Sequence, residues 1–128
     1  DAIVKFHQSM KETEEYGFDK VREEQQELGD KVRALMAAHG FKSLAAKGFE
    51  APGVVVCYTD DPDINNGSKF AAAGMQTAAG VPLMCDEPDD FRTFRVGLFG
   101  LDKLHNVDRT VASLEKALVQ VTGGANIR

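Results

Sequence analysis

The run F-R-V-G-L-F-G, from Phe94 to Gly100, constrains the fold of this chain more than any other segment. Phe94, Val96 and Leu98 alternate with Arg95 between them, and this period of two predicts a half-buried strand. Arg95 would then point to the face opposite the apolar residues. A guanidinium at the centre of a strand needs a carboxylate, because an unpaired buried charge is costly.

The carboxylate that Arg95 requires has two possible sources. It is either a structural Asp or Glu of this chain or the carboxylate of a substrate. Buried arginines are usually paired within their own protein, so the chemistry of the residue alone favours the structural ion pair.

Apolar periodicity predicts four helices. The first ends at Gly17, and a long second helix covers Phe18–His39 with a charged outer face. A short helix is predicted over Ser68–Ala73. The last helix, Val107–Val121, has a continuous apolar stripe, so we expect it to pack against the rest of the fold.

Three segments are predicted as strands: Val54–Thr59, Met75–Ala79 and Phe94–Leu98. The resulting order is α-α-β-α-β-β-α. It predicts an α/β fold of the α+β kind, a single small domain over residues 1–128 in which a three-stranded sheet is covered by helices. We expect the helices Phe18–His39 and Val107–Val121 to pack against that sheet.

Composition excludes several classes of partner. The net charge of −5 and the scattered basic residues argue against nucleic acid. No apolar run approaches the roughly 20 residues of a membrane span, so no membrane partner is expected. Two cysteines, Cys57 and Cys85, are too few for a disulfide scaffold, and a cytoplasmic location is expected. Cys57 lies in V-V-V-C-Y and is interpreted as a small core residue.

None of the known ligand-binding motifs matches this sequence well. The segment D-D-P-D-I-N-N-G resembles a calcium loop, but counted from Asp61 the glycine is seventh and the twelfth residue is Ala72. A turn followed by a helix start explains it better. G-S-K, Gly67–Lys69, lacks the upstream glycine of a P-loop, and no G-x-G-x-x-G is present. The histidines and cysteines share no metal-ligand spacing, so no metal site is predicted.

The chain from about Ile3 to Val121 resembles the C-terminal small domain of class V aminotransferases, which are pyridoxal-phosphate enzymes of fold type I. It is most similar to the alanine–glyoxylate and serine–glyoxylate group. The matching pieces occur in the family's order: a helical pair, the strand V-V-V-C-Y-T, a short helix with G-M-Q-T-A-A-G, then F-R-V-G-L-F-G and N-V-D-R-T-V-A-S-L-E-K-A-L. F-R-V-G-L-F-G, similar to the family's F-R-I-G-x-x-G, is the most specific of these together with its helix.

The resemblance implies a substrate-binding role for Arg95. In the family, the arginine of this motif binds the α-carboxylate of the substrate, and a planar guanidinium offers it two parallel donors. The resemblance therefore reverses the preference for a structural ion pair. It implies an aminotransferase that moves an amino group between a small amino acid and a 2-oxo acid, as a homodimer with pyridoxal phosphate.

The resemblance also implies that this chain is a fragment. The family's cofactor lysine and its aspartate lie in the large domain, which would be the chain's partner, and Lys69 follows the wrong strand to replace that lysine. We therefore expect no catalytic residue and no bound cofactor here, and no activity from the isolated chain. The resemblance leaves a lyase or desulfurase-like parent open as well, because that superfamily shares this domain. The alternative is a stand-alone, non-catalytic binding module in which Arg95 serves a structural ion pair.

Overall fold

A computed structural model describes residues 1–123 of the chain. The helices are Ala2–Tyr16 (α1), Phe18–Ala38 (α2), Pro62–Asn65 (α3), Ser68–Ala72 (α4), Leu101–His105 (α5) and Val107–Val121 (α6), and the strands are Val54–Tyr58 (β1), Ala78–Ala79 (β2) and Thr93–Gly97 (β3). The class expected from the sequence is confirmed: helices accompany a three-stranded antiparallel sheet in a small mixed domain.

Two short helices were not expected from the sequence. The segment that begins at Asp61 forms α3, because Pro62 stands at its first turn and the Asp61 carboxylate accepts the amide of Asp63 at 2.8 Å. Helix α5 precedes α6 and meets it at Asn106. The element order is therefore α-α-β-α-α-β-β-α-α.

Strand β3 lies at the centre of the sheet, whose order is β1-β3-β2. Both neighbours run antiparallel to it, with Arg95 opposite Val56 of β1 and Ala78 of β2. The other side of β1 pairs with a short segment, since the amide of Leu44 donates to the Val56 carbonyl at 2.9 Å. The strand that the sequence predicts over Phe94–Leu98 is therefore the central strand of the sheet.

The strand expected over Met75–Ala79 is shorter than the sequence indicates. Gly74 takes a φ of 84° in the turn that closes α4, and the Met75 amide bonds back to the Phe70 carbonyl at 2.8 Å. Met75 therefore belongs to the helix end, and only Ala78–Ala79 pair with β3.

The core lies between one face of the sheet and the helices α2 and α6. Phe94 is fully buried there, with its ring centroid 5.1 Å from that of Phe41 and 5.5 Å from that of Phe70. The other buried members include Leu28, Val32, Met36, Val55, Cys57, Val96, Leu98, Leu114 and Leu118. Helix α2 packs against β1 as expected, and the last helix joins the same buried cluster, where it contacts chiefly α2, α4 and α5.

Helix α1 extends beyond this core and buries none of its residues. Ile3 is 81% exposed and Phe6 is 67% exposed, although both lie on its apolar side. Gly17, with φ of 106°, separates α1 from α2. None of the helices within residues 1–123 is both long enough and apolar enough to span a membrane.

Candidate functional site

Arg95 occupies the middle position of the central strand. Phe94 and Val96 on either side of it point into the core, so the Arg95 side chain points to the opposite face of the sheet. On that face its cross-strand neighbours are Val56 and Ala78, and neither carries a charge. The strand therefore presents a single cation on a largely apolar surface.

The guanidinium of Arg95 has one protein partner within the described residues. Its Nε donates to the carbonyl oxygen of Ala79 at 3.0 Å. No ion pair involving Arg95 occurs within residues 1–123, and the side chain is partly exposed. The two Nη atoms have no protein acceptor in this part of the chain, so their donors are available to a ligand.

This arrangement selects one mode of anion binding. A carboxylate can meet a guanidinium through Nε and one Nη, or end-on through both Nη atoms. Since the Nε of Arg95 is already engaged by Ala79, the end-on mode keeps every existing contact. The small side chains around it, Ala78 across the sheet and Gly97 two positions along β3, leave room for such a ligand.

Two other arginines near the sheet donate hydrogen bonds to backbone carbonyls instead. Arg33 of α2 donates to the carbonyl oxygens of Ala51 at 2.7 Å and Val54 at 3.0 Å, and to the Ser43 hydroxyl at 3.2 Å. Arg92 donates to the Asp60 carbonyl at 3.1 Å. Both hold loops against the fold. Sequence reasoning did not identify Arg33, because its acceptors are mostly main-chain carbonyls that carry no residue-specific signal.

Lys69 does not have the properties of a cofactor lysine. Its ammonium pairs with the carboxylate of Asp61, which raises the pKa of Lys69 and lowers the pKa of Asp61. A lysine that attacks a carbonyl needs a depressed pKa so that the free amine is present. The pair therefore fixes the junction between α3 and α4 and does not fit the covalent chemistry of pyridoxal phosphate.

The loop before β3 is organised by one carboxylate. Glu87 accepts the amides of Cys85, Leu83 and Met84, and hydrogen bonds from backbone amides, chiefly those of Cys85 and of Glu87 itself, lower its pKa to about 2. A cleft of about 580 Å³ lies beside this loop and is lined by Arg92 among others, but Arg95 does not line it. The cleft therefore does not include the Arg95 side chain, although Gly80 and Thr93, which flank Ala79 and Phe94, line its wall.

Within residues 1–123, no group of three or more potential metal-binding side chains comes together. The comparisons with known proteins add no identity: no protein-family model matches this chain, and no curated protein sequence matches it. The functional interpretation therefore depends on the residues themselves and above all on the geometry of Arg95.

Proposed function

We propose that this chain is the C-terminal small domain of a pyridoxal-phosphate aminotransferase of the alanine–glyoxylate or serine–glyoxylate kind. The parent protein would move an amino group between a small amino acid and a 2-oxo acid. In it, Arg95 would bind the carboxylate that both substrates share. The proposal includes a cytoplasmic homodimer.

One observation carries this proposal: the guanidinium of Arg95 is held by Ala79 and has no carboxylate partner within residues 1–123. The structural arginines Arg33 and Arg92 each donate from Nη atoms to backbone carbonyls, whereas the bond that Arg95 makes uses only its Nε. An arginine whose Nη donors are oriented but unused is suited to an exogenous carboxylate.

The cofactor would be held elsewhere in a longer protein. Pyridoxal phosphate supplies the electron sink for amino-group transfer when it is bound. Lys69, the lysine that the sequence singles out, does not fit the cofactor, because its ammonium is paired with Asp61. We therefore expect that borohydride reduction of the chain with pyridoxal phosphate, followed by peptide mapping, labels no single lysine stoichiometrically. Stoichiometric labelling of one lysine would contradict the fragment interpretation.

A second candidate function is a stand-alone interaction module. The observation that favours it is the exposed apolar side of α1, which includes Ile3, Phe6 and Met10. In that case Arg95 would have no substrate, and the exposed helix would be the functional surface.

The test is the substitution Arg95→Lys in the intact enzyme. A single ammonium cannot reproduce two parallel donors, and loss of such a charge-assisted hydrogen bond costs about 1.5–3 kcal/mol. We expect kcat/KM to fall roughly tenfold to a hundredfold, at about 1.4 kcal/mol per decade. Much of this loss should appear in KM, because the carboxylate is present in ground and transition states alike.

Arg92→Lys is the matched control, since Arg92 lies three positions earlier and donates to the Asp60 carbonyl. Its kinetics should stay close to those of the unmodified enzyme. If Arg95→Lys instead lowers the melting temperature and leaves KM unchanged, Arg95 is a structural residue and the proposal fails.

A further inference from the structure

We propose that the two-residue strand β2, together with Gly80, is the positioning element that orients Arg95. The Ala79 carbonyl would fix the Nε edge of the guanidinium, and Gly80 would hold that carbonyl in place. The identity of the ligand, a small monocarboxylate bound end-on, rests on the proposed function. The positioning itself is a property of this chain alone.

Gly80 permits an unusually close approach between the end of β2 and β3. A Cβ added to Gly80 would lie 1.9 Å from the Thr93 hydroxyl oxygen and 2.4 Å from the Thr93 carbonyl oxygen. Contacts below 3 Å with backbone cannot be relieved by a side-chain rotation. Any side chain at this position must therefore push the segment that contains Ala79 away from β3.

The Thr93 carbonyl, which Gly80 approaches, is held by two hydrogen bonds. The Thr93 carbonyl accepts the Gly80 amide at 3.0 Å and the Asn65 side-chain amide at 2.7 Å. Thr93 is only 3% exposed, so these bonds lie in a protected environment. The position of β2 is thus set relative to both β3 and the α3 helix.

The register then places the Ala79 carbonyl beside Arg95. Ala79 pairs with Phe94 and Ala78 pairs with Arg95, so the Ala79 oxygen lies within reach of the neighbouring side chain, 3.0 Å from Nε. A two-residue strand stabilises a sheet only slightly. Its placement has a clear consequence for Arg95, because it restricts a long flexible side chain to one orientation.

The experiment is NMR on the chain itself, labelled with ¹⁵N and ¹³C. We expect a through-hydrogen-bond coupling between the Arg95 Nε and the Ala79 carbonyl carbon, and slow solvent exchange of the Arg95 Nε–H. In Gly80→Ala the coupling should vanish and the exchange should accelerate by about tenfold or more, as expected for a locally opened hydrogen bond. Gly97→Ala is the matched control, because its Cβ would meet only the Phe99 ring, at 3.9 Å.

A wild-type Arg95 Nε–H that exchanges freely and shows no coupling would overturn the proposal. So would a Gly80→Ala variant that keeps both signatures. If Gly80→Ala fails to fold, the wild-type coupling still tests the bond from Arg95 to the Ala79 carbonyl, and Asn65→Ala, which removes the second bond to the Thr93 carbonyl, tests the anchoring. An Asn65→Ala variant with unchanged coupling and exchange would overturn the anchoring. Titration with pyruvate separates the two proposals: if pyruvate shifts the Arg95 resonances no more than those of Arg33, the carboxylate function fails while the positioning stands.

Discussion

Single residues illustrate what a pattern in sequence reveals and what it leaves open. The alternation around Arg95 indicates correctly that its side chain leaves the core, because Phe94 and Val96 are buried. Its partner was not predictable, since the Ala79 carbonyl is a main-chain group that any residue would supply. The identity of Gly80 is a signal of close approach, but only the register of the strands shows that Thr93 is the group approached.

Cys57 shows how burial controls chemistry at one position. As expected from V-V-V-C-Y, it is a core residue, 1% exposed, and burial raises the pKa of its thiol to about 11 from an ordinary 9.0. Cys85 is exposed. The two cysteines should therefore differ strongly in reactivity with an alkylating reagent while the protein is folded.

The raised pKa of Cys57 has a consequence for stability at alkaline pH. The folded state favours the neutral thiol, so this contribution is complete below about pH 9 and is lost as pH rises through about 11. We expect the free energy of unfolding to fall in that interval by up to about 1.4 kcal/mol per pH unit. Urea denaturation at several pH values measures it.

Cys57→Ala provides the comparison for that measurement. Tyr16, Lys31 and Lys69 also have raised pKa values and titrate at high pH, but their contributions are common to both proteins and cancel. The variant should be less stable at neutral pH and should lose less stability between about pH 9 and 11. Parallel pH profiles for the two proteins would show that the thiol does not titrate in this interval.

At the scale of elements, a continuous apolar stripe was the most reliable sequence signal for a helix. The last helix was predicted over Val107–Val121, which are its observed bounds, because its apolar stripe meets the core along its full length. The segment Met75–Ala79 was predicted less well, because its residues give little packing that would specify a strand. The short helices α3 and α5 contain too few residues to show a periodicity.

Helix α2 contains one glycine whose role is visible only in the packed structure. Gly29 is buried, and a Cβ there would lie 2.8 Å from the Pro52 carbonyl oxygen. Gln25, one turn earlier, donates to the same carbonyl at 3.0 Å and to that of Leu98 at 3.1 Å. This contact joins α2 to the segment that leads into β1 and the segment that leaves β3, which meet at the same end of the sheet.

Gly29→Ala should therefore destabilise the protein, although alanine is the better helix former by about 1 kcal/mol. Overpacking against a backbone atom costs about 1–3 kcal/mol, which exceeds the gain in helix propensity. Urea denaturation of the variant measures the net effect. Glu23→Ala, on the exposed side of α2, should change stability by no more than about 0.5 kcal/mol. A Gly29→Ala variant more stable than the parent would show that the Pro52 loop yields easily.

At the scale of the whole molecule, α1 is the element least explained by the chain alone. A helix of 15 residues is marginal in water unless its apolar side is covered, yet α1 buries none of its residues. Its Tyr16 end is tied to α2 by a hydrogen bond from the hydroxyl to Glu24. We expect the rest of the helix to be covered by a partner, which in the proposed parent enzyme would be the large domain.

The isolated chain should therefore self-associate through α1. Ile3, Phe6 and Met10 form an exposed apolar stripe, and burying such a stripe is favourable. Phe6→Lys should shift the protein toward the monomer in light scattering over a range of concentrations. Phe49→Lys is the control, since Phe49 is 86% exposed but lies outside α1, and its effect should be small. A strict monomer at high concentration before any substitution would contradict this expectation.

The short edges of the sheet limit the kind of assembly that self-association of this chain can produce. On one side the β1 strand is capped by the segment from Lys42 to Leu44, and on the other β2 offers only two residues. Edge strands this short are poor templates for adding a strand from another molecule, so edge-to-edge growth into fibrils is disfavoured. Copies of this chain should meet through helical surfaces, and their oligomers should remain soluble and reversible on dilution.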